Sequence, residues 1–314
     1  MSERELHVIF GAGPVGLAVM DELLARGKQV RMVTRSGRAE VPDGVEIEAG
    51  DAADLEVSER ACQGAAVVYS CCSPPYDKWP ELFPPLQNGI IVGAVHAGAK
   101  LVSMENLYMY GQTRGKPVAE DLNCDALTRK GMIRARMAEE LMSAHQSGRI
   151  RVVIARASDF FGPRALNAAM GDRVFYPALA GKKVQVLGNP DLLHTMTFVP
   201  DIARALVLIA EKDEALGKAW HIPSPETVTT REFIERVFAD AGKKPRIQSV
   251  PRFMVKIMGA FLPVMRELNE MLYLWEEPFV VDHSKFEVAF GFKATPLDEA
   301  ITQTVEWFRT HPKA

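Results

Sequence analysis

The chain reads as an α/β protein: a doubly wound parallel sheet with a smaller C-terminal lobe. Three observations carry that reading. An apolar run, His7-Val8-Ile9-Phe10, meets Gly11-Ala12-Gly13-Pro14-Val15-Gly16 at the head of a helical pattern. Short apolar runs then alternate with helical stretches as far as Ala155, and such alternation gives right-handed crossovers between parallel strands. Beyond Gly162-Pro163 the alternation loosens.

In order, the first strand passes through the glycine turn into a helix marked by Val15, Ala18, Val19 and Leu23, which Gly27 closes, and the second strand runs from Gln29 to Arg35. Val45 to Gly50 is the third strand, ending at Asp51-Ala52-Ala53-Asp54. Ala65 to Cys72 is the fourth, ending at Ser73-Pro74-Pro75-Tyr76. Ile90 to Gly98 is helical, Lys100 to Ser103 is the fifth strand, Thr128 to Ser147 a long helix and Ile150 to Ala155 the sixth strand. Residues from about Arg164 to Lys183 read as an insertion, followed by a strand from Thr195 to Val199 and a helix from Pro200. The expected division is a nucleotide-binding domain over residues 1–163, to which 184–212 return. Residues 164–183 and 213–314 then form mainly a substrate-binding lobe. A ligand cleft is expected between them, at the carboxyl ends of the strands.

The turn has the spacing that holds a dinucleotide. Gly11 permits the tight turn, Gly13 lets the backbone approach a pyrophosphate, and Gly16 lets helix and strand pack closely. Pro14, Val15 and Gly16 open the helix, whose free N–H groups and positive dipole end suit phosphates. The end of the second strand selects the cofactor. An Asp or Glu there would accept hydrogen bonds from ribose hydroxyls, whereas a 2′-phosphate repels a carboxylate and attracts a guanidinium. Thr34-Arg35-Ser36-Gly37-Arg38 contains no acid, so NADP(H) is expected through Arg35, with NAD(H) as the alternative and a solvated loop arginine as the plain reading of that residue.

Composition narrows the class. A chain of 314 residues with 47% hydrophobic and 25% charged residues is long enough for a large core. A net charge of −3 gives no reason to expect a nucleic-acid or membrane partner. Met1-Ser2-Glu3-Arg4-Glu5 lacks the basic and apolar regions of a signal peptide, and no apolar run reaches membrane-spanning length, so a cytoplasmic location is expected. Cys62, Cys71, Cys72 and Cys124 show neither C-x-x-C spacing nor a histidine pattern, so no metal site is expected, and adjacent Cys71 and Cys72 read as small packing residues.

Further landmarks are Gly50-Asp51, Tyr110-Gly111, Arg156 through Phe161-Gly162-Pro163, Thr197-Phe198-Val199-Pro200-Asp201-Ile202-Ala203, and Trp307. With the glycine turn they make the chain, over nearly its full length, similar to the extended short-chain dehydrogenase/reductases of the NAD-dependent epimerase/dehydratase family. The resemblance implies a Rossmann-like N-terminal domain, bound NAD(P), a small-molecule substrate and a homodimer packed through two long helices. By position, Asp51 resembles the carboxylate that contacts the adenine amino group, a helix N-cap being its structural alternative, and Cys71, Cys72 and Ser73 line the cofactor's path.

The chain also departs from the family. The family's usual G-x-x-G-x-x-G would begin at Phe10, and this chain uses Gly11 instead. The Ser or Thr that precedes the Tyr-Gly pair by four residues is Asn106. Aligning the long helix on Glu140 puts Met132 in place of the family's tyrosine and Arg136 in place of its lysine, so the usual proton donor is missing. Arg136 is the candidate to hold a ribose or phosphate. Tyr108 is the candidate substitute acid, because it stands where the sugar-nucleotide dehydratases carry a catalytic Glu. Leu107 stands where they carry Asp, which argues against a 4,6-dehydratase. Asn106 is the candidate donor to a substrate carbonyl.

Asn106, Tyr108 and Tyr110 fall on one strand face at alternating spacing, and a core aromatic is the plain reading of Tyr108. Tyr76 and Trp79 wall a pocket or pack a boundary. Phe253 to Met265 forms either a hydrophobic pocket or a packed helix, and His194 reads as a structural hydrogen-bonder. The expected function is an NADP(H)-dependent reductase or epimerase of a small carbonyl or alcohol, acting through Asn106, Tyr108 and Arg136. The alternatives are a non-catalytic NADP(H)-binding sensor and a nucleotide-sugar epimerase.

Overall fold

The computed structural model describes residues 5–250, 267 and 269–313. The stretch Phe253 to Met265, read above as pocket or helix, lies outside the described residues. Strands β1 (Leu6–Phe10), β2 (Gln29–Thr34), β3 (Glu46–Ala49), β4 (Ala65–Ser70), β5 (Lys100–Glu105) and β6 (Arg151–Arg156) belong to one seven-stranded sheet. Its order is Ala219–His221, β6, β5, β4, β1, β2, β3. Strands β1 to β6 are parallel throughout. Val8, Ile9, Val68, Leu101, Val152 and Val153 are sealed from solvent, as parallel strands must be when helices cover both faces.

Helices α1 (Pro14–Ala25), α2 (Leu55–Cys62), α3 (Trp79–His96) and α4 (Arg129–Gln146) fall between the strands. Ile90, Ile91, Ala94, Ala138 and Leu141 join Val8, Phe10, Val68 and Ile154 in one buried cluster. Helix α3 starts eleven residues before the stretch the sequence marks, and so takes in Trp79. Pro80 fits its first turn, where no amide donor is needed, and Pro84 and Pro85 sit on its exposed side.

Contacts divide the chain into two units. The first comprises residues 1–109, 129–156 and 202–220; the second comprises 110–128, 157–201 and 221–314. The chain re-enters the first unit at Ile202, inside α6 (Val199–Ala210), rather than at Val184. The reason is pairing: β8 (Val184–Leu187) aligns parallel with Ile247–Val250 of the second unit. Residues 213–220 stay with the first unit, where Ala219–His221 edges the large sheet. The supposed insertion contains α5 (Asp172–Leu179). In the second unit β7 (Asp159–Phe161) pairs with β10 (Met196–Phe198), and β9 (Leu193–His194) pairs with Val228–Thr229. Its core gathers Phe161, Phe175, Phe198, Phe233 and Phe308, with Phe175 and Phe308 stacked at 4.9 Å. Among the described residues no helix is long and apolar enough to cross a membrane.

One buried titratable group couples this fold to pH. His7 in β1 is 1% exposed; its Nδ1 meets the Tyr69 hydroxyl at 3.2 Å and its Nε2 faces Glu5 at 3.4 Å. Burial holds the imidazole below its ordinary value, with Glu5 acting against that. Above the unfolded value of 6.5 the ring is neutral in both states. As pH falls below it, the unfolded chain takes up a proton that the folded one resists, so stability declines. Urea unfolding at pH 7 and pH 5 should show a smaller decline for His7→Gln than for the parent. Equal declines would remove His7 from the linkage.

Candidate functional site

The glycine turn is held between two strands. The Gly11 N–H donates to the Val33 carbonyl and the Cys71 N–H donates to the Phe10 carbonyl, each at 3.0 Å. Gly11 has φ +104° and a Cβ there would lie 2.8 Å from the Cys72 Cα. A Cβ on Gly16 would lie 2.0 Å from the Gly11 carbonyl oxygen. Only glycine fits either place. Gly13 is extended at φ −76°, ψ −179°, is exposed, and has nothing within 4 Å of its Cβ position. Pro14 opens α1, no side chain caps that helix, and its first turn carries no acid. The N–H groups of Val15 and Gly16 therefore face an open backbone cradle at the positive end of a helix, a shape and charge that fit a pyrophosphate.

At the end of β2 the chain turns tightly, with the Gly37 N–H donating to the Thr34 carbonyl at 3.2 Å. Arg35 and Arg38 are both exposed there. At the end of β3, Asp51 is exposed and its Oδ1 accepts the Ala53 N–H at 3.0 Å. The N-cap of α2 is Asp54, which accepts from Glu56 and Val57, so the N-cap alternative for Asp51 is corrected. Beyond β4, Cys71 and Cys72 are half-buried and Ser73 is exposed. Burial pushes the Cys72 thiol up to about 12 and raises Cys71 further. Both stay protonated near neutrality and are packing groups rather than nucleophiles.

The end of β5 differs from its sequence reading. The strand stops at Glu105, and Tyr108–Tyr110 is a single 3-10 turn. Asn106, Tyr108 and Tyr110 therefore do not alternate along a strand face. The Asn106 Oδ1 accepts the Tyr108 N–H at 3.2 Å, an Asx turn that competes with strand continuation. Tyr110 is buried in the second unit, with its hydroxyl 2.8 Å from His221 Nε2. Tyr108 stays with the first unit, half-buried, its ring stacked on Trp79 at 5.9 Å. Trp79 meets Tyr76 and Phe83 edge-on, each at 5.1 Å.

Helix α4 turns a different pair inward from the one the alignment on Glu140 selects. Met132 is 40% exposed and Arg136 is exposed, whereas Lys130 and Arg134 are 1% and 3% exposed. The Lys130 Nζ lies 4.4 Å from the Tyr76 ring centre, and the Arg134 guanidinium 4.7 Å from that of Phe83. Glu105 bridges Arg134 at 3.3 Å and Arg156 at 3.1 Å, and all three are buried. Burial holds the Arg134 guanidinium below its ordinary value; Glu105 opposes that and Arg156 adds to it. A cluster of Tyr76, Trp79, Tyr108, Lys130 and Arg134 thus gathers within the first unit, beyond β4 and β5. The signal was available as two basic residues four apart on α4, beside the small Gly131.

The strand order and the glycine turn define a Rossmann-like α/β protein. The sequence profile of the NAD dependent epimerase/dehydratase family matches residues 8–222, and the chain belongs to that family of enzymes. A comparison with curated protein sequences gives no significant match. Among solved structures the chain is similar to an epimerase from Methanothermobacter thermautotrophicus, at 17% identity and TM-score 0.82 over 98% of this chain and 93% of that one. It is similar to a UDP-glucose 4-epimerase from Thermotoga maritima solved with UDP-glucose, at 17% identity and TM-score 0.77 over 98% and 99%. A dTDP-glucose 4,6-dehydratase from Bacillus anthracis in complex with NAD matches at 13% identity and TM-score 0.80 over 98% and 97%.

Proposed function

We propose that this enzyme is an NADP(H)-dependent reductase or epimerase of a small carbonyl or alcohol metabolite, in which Tyr108 handles the proton at the substrate oxygen. The observation that carries the reading is the inward face of α4. It presents Lys130 and Arg134, four apart like the family's tyrosine and lysine but each two residues before the aligned Met132 and Arg136, while Tyr108 supplies a phenol in the same aromatic cluster. For the cofactor, the support is Arg35 and Arg38 at the end of β2 with no carboxylate between Thr34 and Arg38. Gly11, Gly13 and Gly16 with the N–H groups of Val15 and Gly16 would hold the pyrophosphate, Arg35 the 2′-phosphate and Asp51 the adenine. Cys71, Cys72 and Ser73 would form the wall beneath.

When bound, NADP(H) supplies the hydride donor or acceptor at the substrate carbon. The Tyr108 hydroxyl then gives a proton to the substrate oxygen on reduction and takes one on oxidation. Asn106 spends its Oδ1 on the Tyr108 N–H, leaving its Nδ2 hydrogens as donors to that same oxygen. The cations Lys130 and Arg134 favour negative charge developing on the oxygen. Arg136, on the exposed face of α4, is left to meet a ligand phosphate from the outside.

The test is to denature the purified protein, identify any released nucleotide by mass spectrometry, and titrate NADPH and NADH against parent and Arg35→Ala. NADPH should bind more tightly, and Arg35→Ala should cost about 1.5–3 kcal/mol with NADPH alone, the worth of a hydrogen bond to a charged group. Retained NAD(H), or equal affinities, would overturn the NADP(H) part. Tyr108→Phe should slow carbonyl reduction by about 10²–10⁴-fold, and unchanged turnover would remove Tyr108 from the mechanism.

A further inference from the structure

We infer that His194 and Asp159 form a proton-transfer dyad in the second unit, its open imidazole nitrogen poised to take a proton from a hydroxyl-bearing ligand. The inference is independent of the nucleotide site. Among the described residues three histidines are buried: His7, His194 and His221. The Nδ1 of His7 meets the Tyr69 hydroxyl, and its Nε2 faces Glu5, sealed from solvent. His221 Nδ1 donates to the Asp282 carbonyl at 2.9 Å and its Nε2 accepts from the Tyr110 hydroxyl at 2.8 Å. His221 is engaged at both nitrogens, and His7 at one, with its other nitrogen sealed from solvent beside Glu5.

His194 is built otherwise. Its Nε2 lies 2.9 Å from Asp159 Oδ2, while among the described residues no hydrogen bond reaches its Nδ1, and that atom is not one of the buried atoms sealed without a partner. A carboxylate on Nε2 keeps the proton there and leaves the lone pair on Nδ1. The ring cannot turn away, because it lies flat on Trp275 at 4.1 Å and 8° and against Phe279 at 5.3 Å. The backbone on either side is fixed as well: the Phe279 N–H donates to the Leu193 carbonyl and the Thr195 N–H donates to the Phe279 carbonyl, each at 2.8 Å. The His194 side chain is 3% exposed and that of Asp159 21%, so the carboxylate carries most of the dyad's contact with solvent.

An imidazole oriented by a carboxylate, with its second nitrogen open, is the base half of a nucleophile–base–orienter set. None of the described contacts of His194 supplies a Ser or Cys nucleophile from this chain, so the acid must arrive with the ligand. The ligand O–H bond breaks, an Nδ1–H bond forms, and the imidazolium is held by Asp159; the reverse step returns the proton.

The experiment uses the ¹⁵N-labelled full chain and diethyl pyrocarbonate as the probe. Long-range ¹H–¹⁵N spectra near neutral pH should show His194 as the Nε2–H form with bare Nδ1. Peptide mapping should find His194 modified at least about tenfold faster than His7 and His221, which react only through local opening. Asp159→Asn, whose amide can donate to Nε2, should convert His194 to the Nδ1–H form and slow its modification. An Nδ1–H form in the parent, or modification as slow as at His7, would overturn the inference. Both outcomes are read without nucleotide, so NADPH titration of the same samples tests the cofactor reading separately.

Discussion

Gly16→Ala should abolish nucleotide binding and destabilise the first unit, whereas Gly13→Ala should abolish binding alone. The added methyl at Gly16 would stand 2.0 Å from the Gly11 carbonyl oxygen and 3.5 Å from Ile9 Cγ2. The closer obstacle is backbone, which cannot swing aside as a side chain would, so the turn must open or α1 must lift from β1. Overpacking of this kind costs about 1–3 kcal/mol. At Gly13 the backbone is already in a region open to any residue, and nothing lies within 4 Å of the new methyl. That variant should unfold within about 0.5 kcal/mol of the parent, yet its methyl would occupy the space a pyrophosphate needs. Urea unfolding and NADPH titration of the two variants separate the effects. Gly13→Ala binding NADPH as the parent does would show that the pyrophosphate does not cross that cradle.

Glu105→Ala should cost about 3–5 kcal/mol, the range for removing one partner of a buried ion pair. Its carboxylate lies between Arg134 and Arg156, and all three side chains are at most 6% exposed. Without it two guanidiniums face each other out of reach of water. Adding Arg134→Met removes one of them and should recover part of the loss, because the penalty comes from the stranded charge rather than from the bond. Urea unfolding of the single and double variants measures both effects. A loss under about 1 kcal/mol for Glu105→Ala would mean that solvent reaches the arginines, as at an exposed pair. The same residue closes β5 immediately before Asn106, so Glu105→Ala should also disturb the Tyr108 turn.

The first unit was largely legible in the sequence because β1, β4 and β6 are short, mostly apolar runs and its turn is spelled out by glycines whose spacing has a steric cause. Three features were not legible, each for a physical reason. The turn at Tyr108 depends on the Asn106 side chain capturing a nearby N–H, and an Asn after a strand has several partners open to it. The early start of α3 was masked by prolines, which end helices elsewhere but are tolerated in a first turn and on an exposed side. On α4, Lys130, Met132, Arg134 and Arg136 are interleaved polar and apolar residues. Periodicity alone does not say which basic pair finds a buried carboxylate, and here Glu105 selected Arg134. The second unit was less legible still, because Asp159 and His194 meet across 35 residues of chain.

The close approach of Gly11 to Cys72 places a thiol directly beside the glycine turn. The Cys72 backbone lies 2.8 Å from where a Gly11 side chain would begin, so the turn lies directly on this residue, and burial keeps its sulfur protonated. An alkylating reagent should label exposed Cys124 before half-buried Cys72, which lies against the turn. The delay between the two labels therefore reports how far the turn shields Cys72. Any molecule that settles into the cradle should lengthen that delay, which makes a chemically silent thiol a gauge of occupancy for ligands that leave no optical trace.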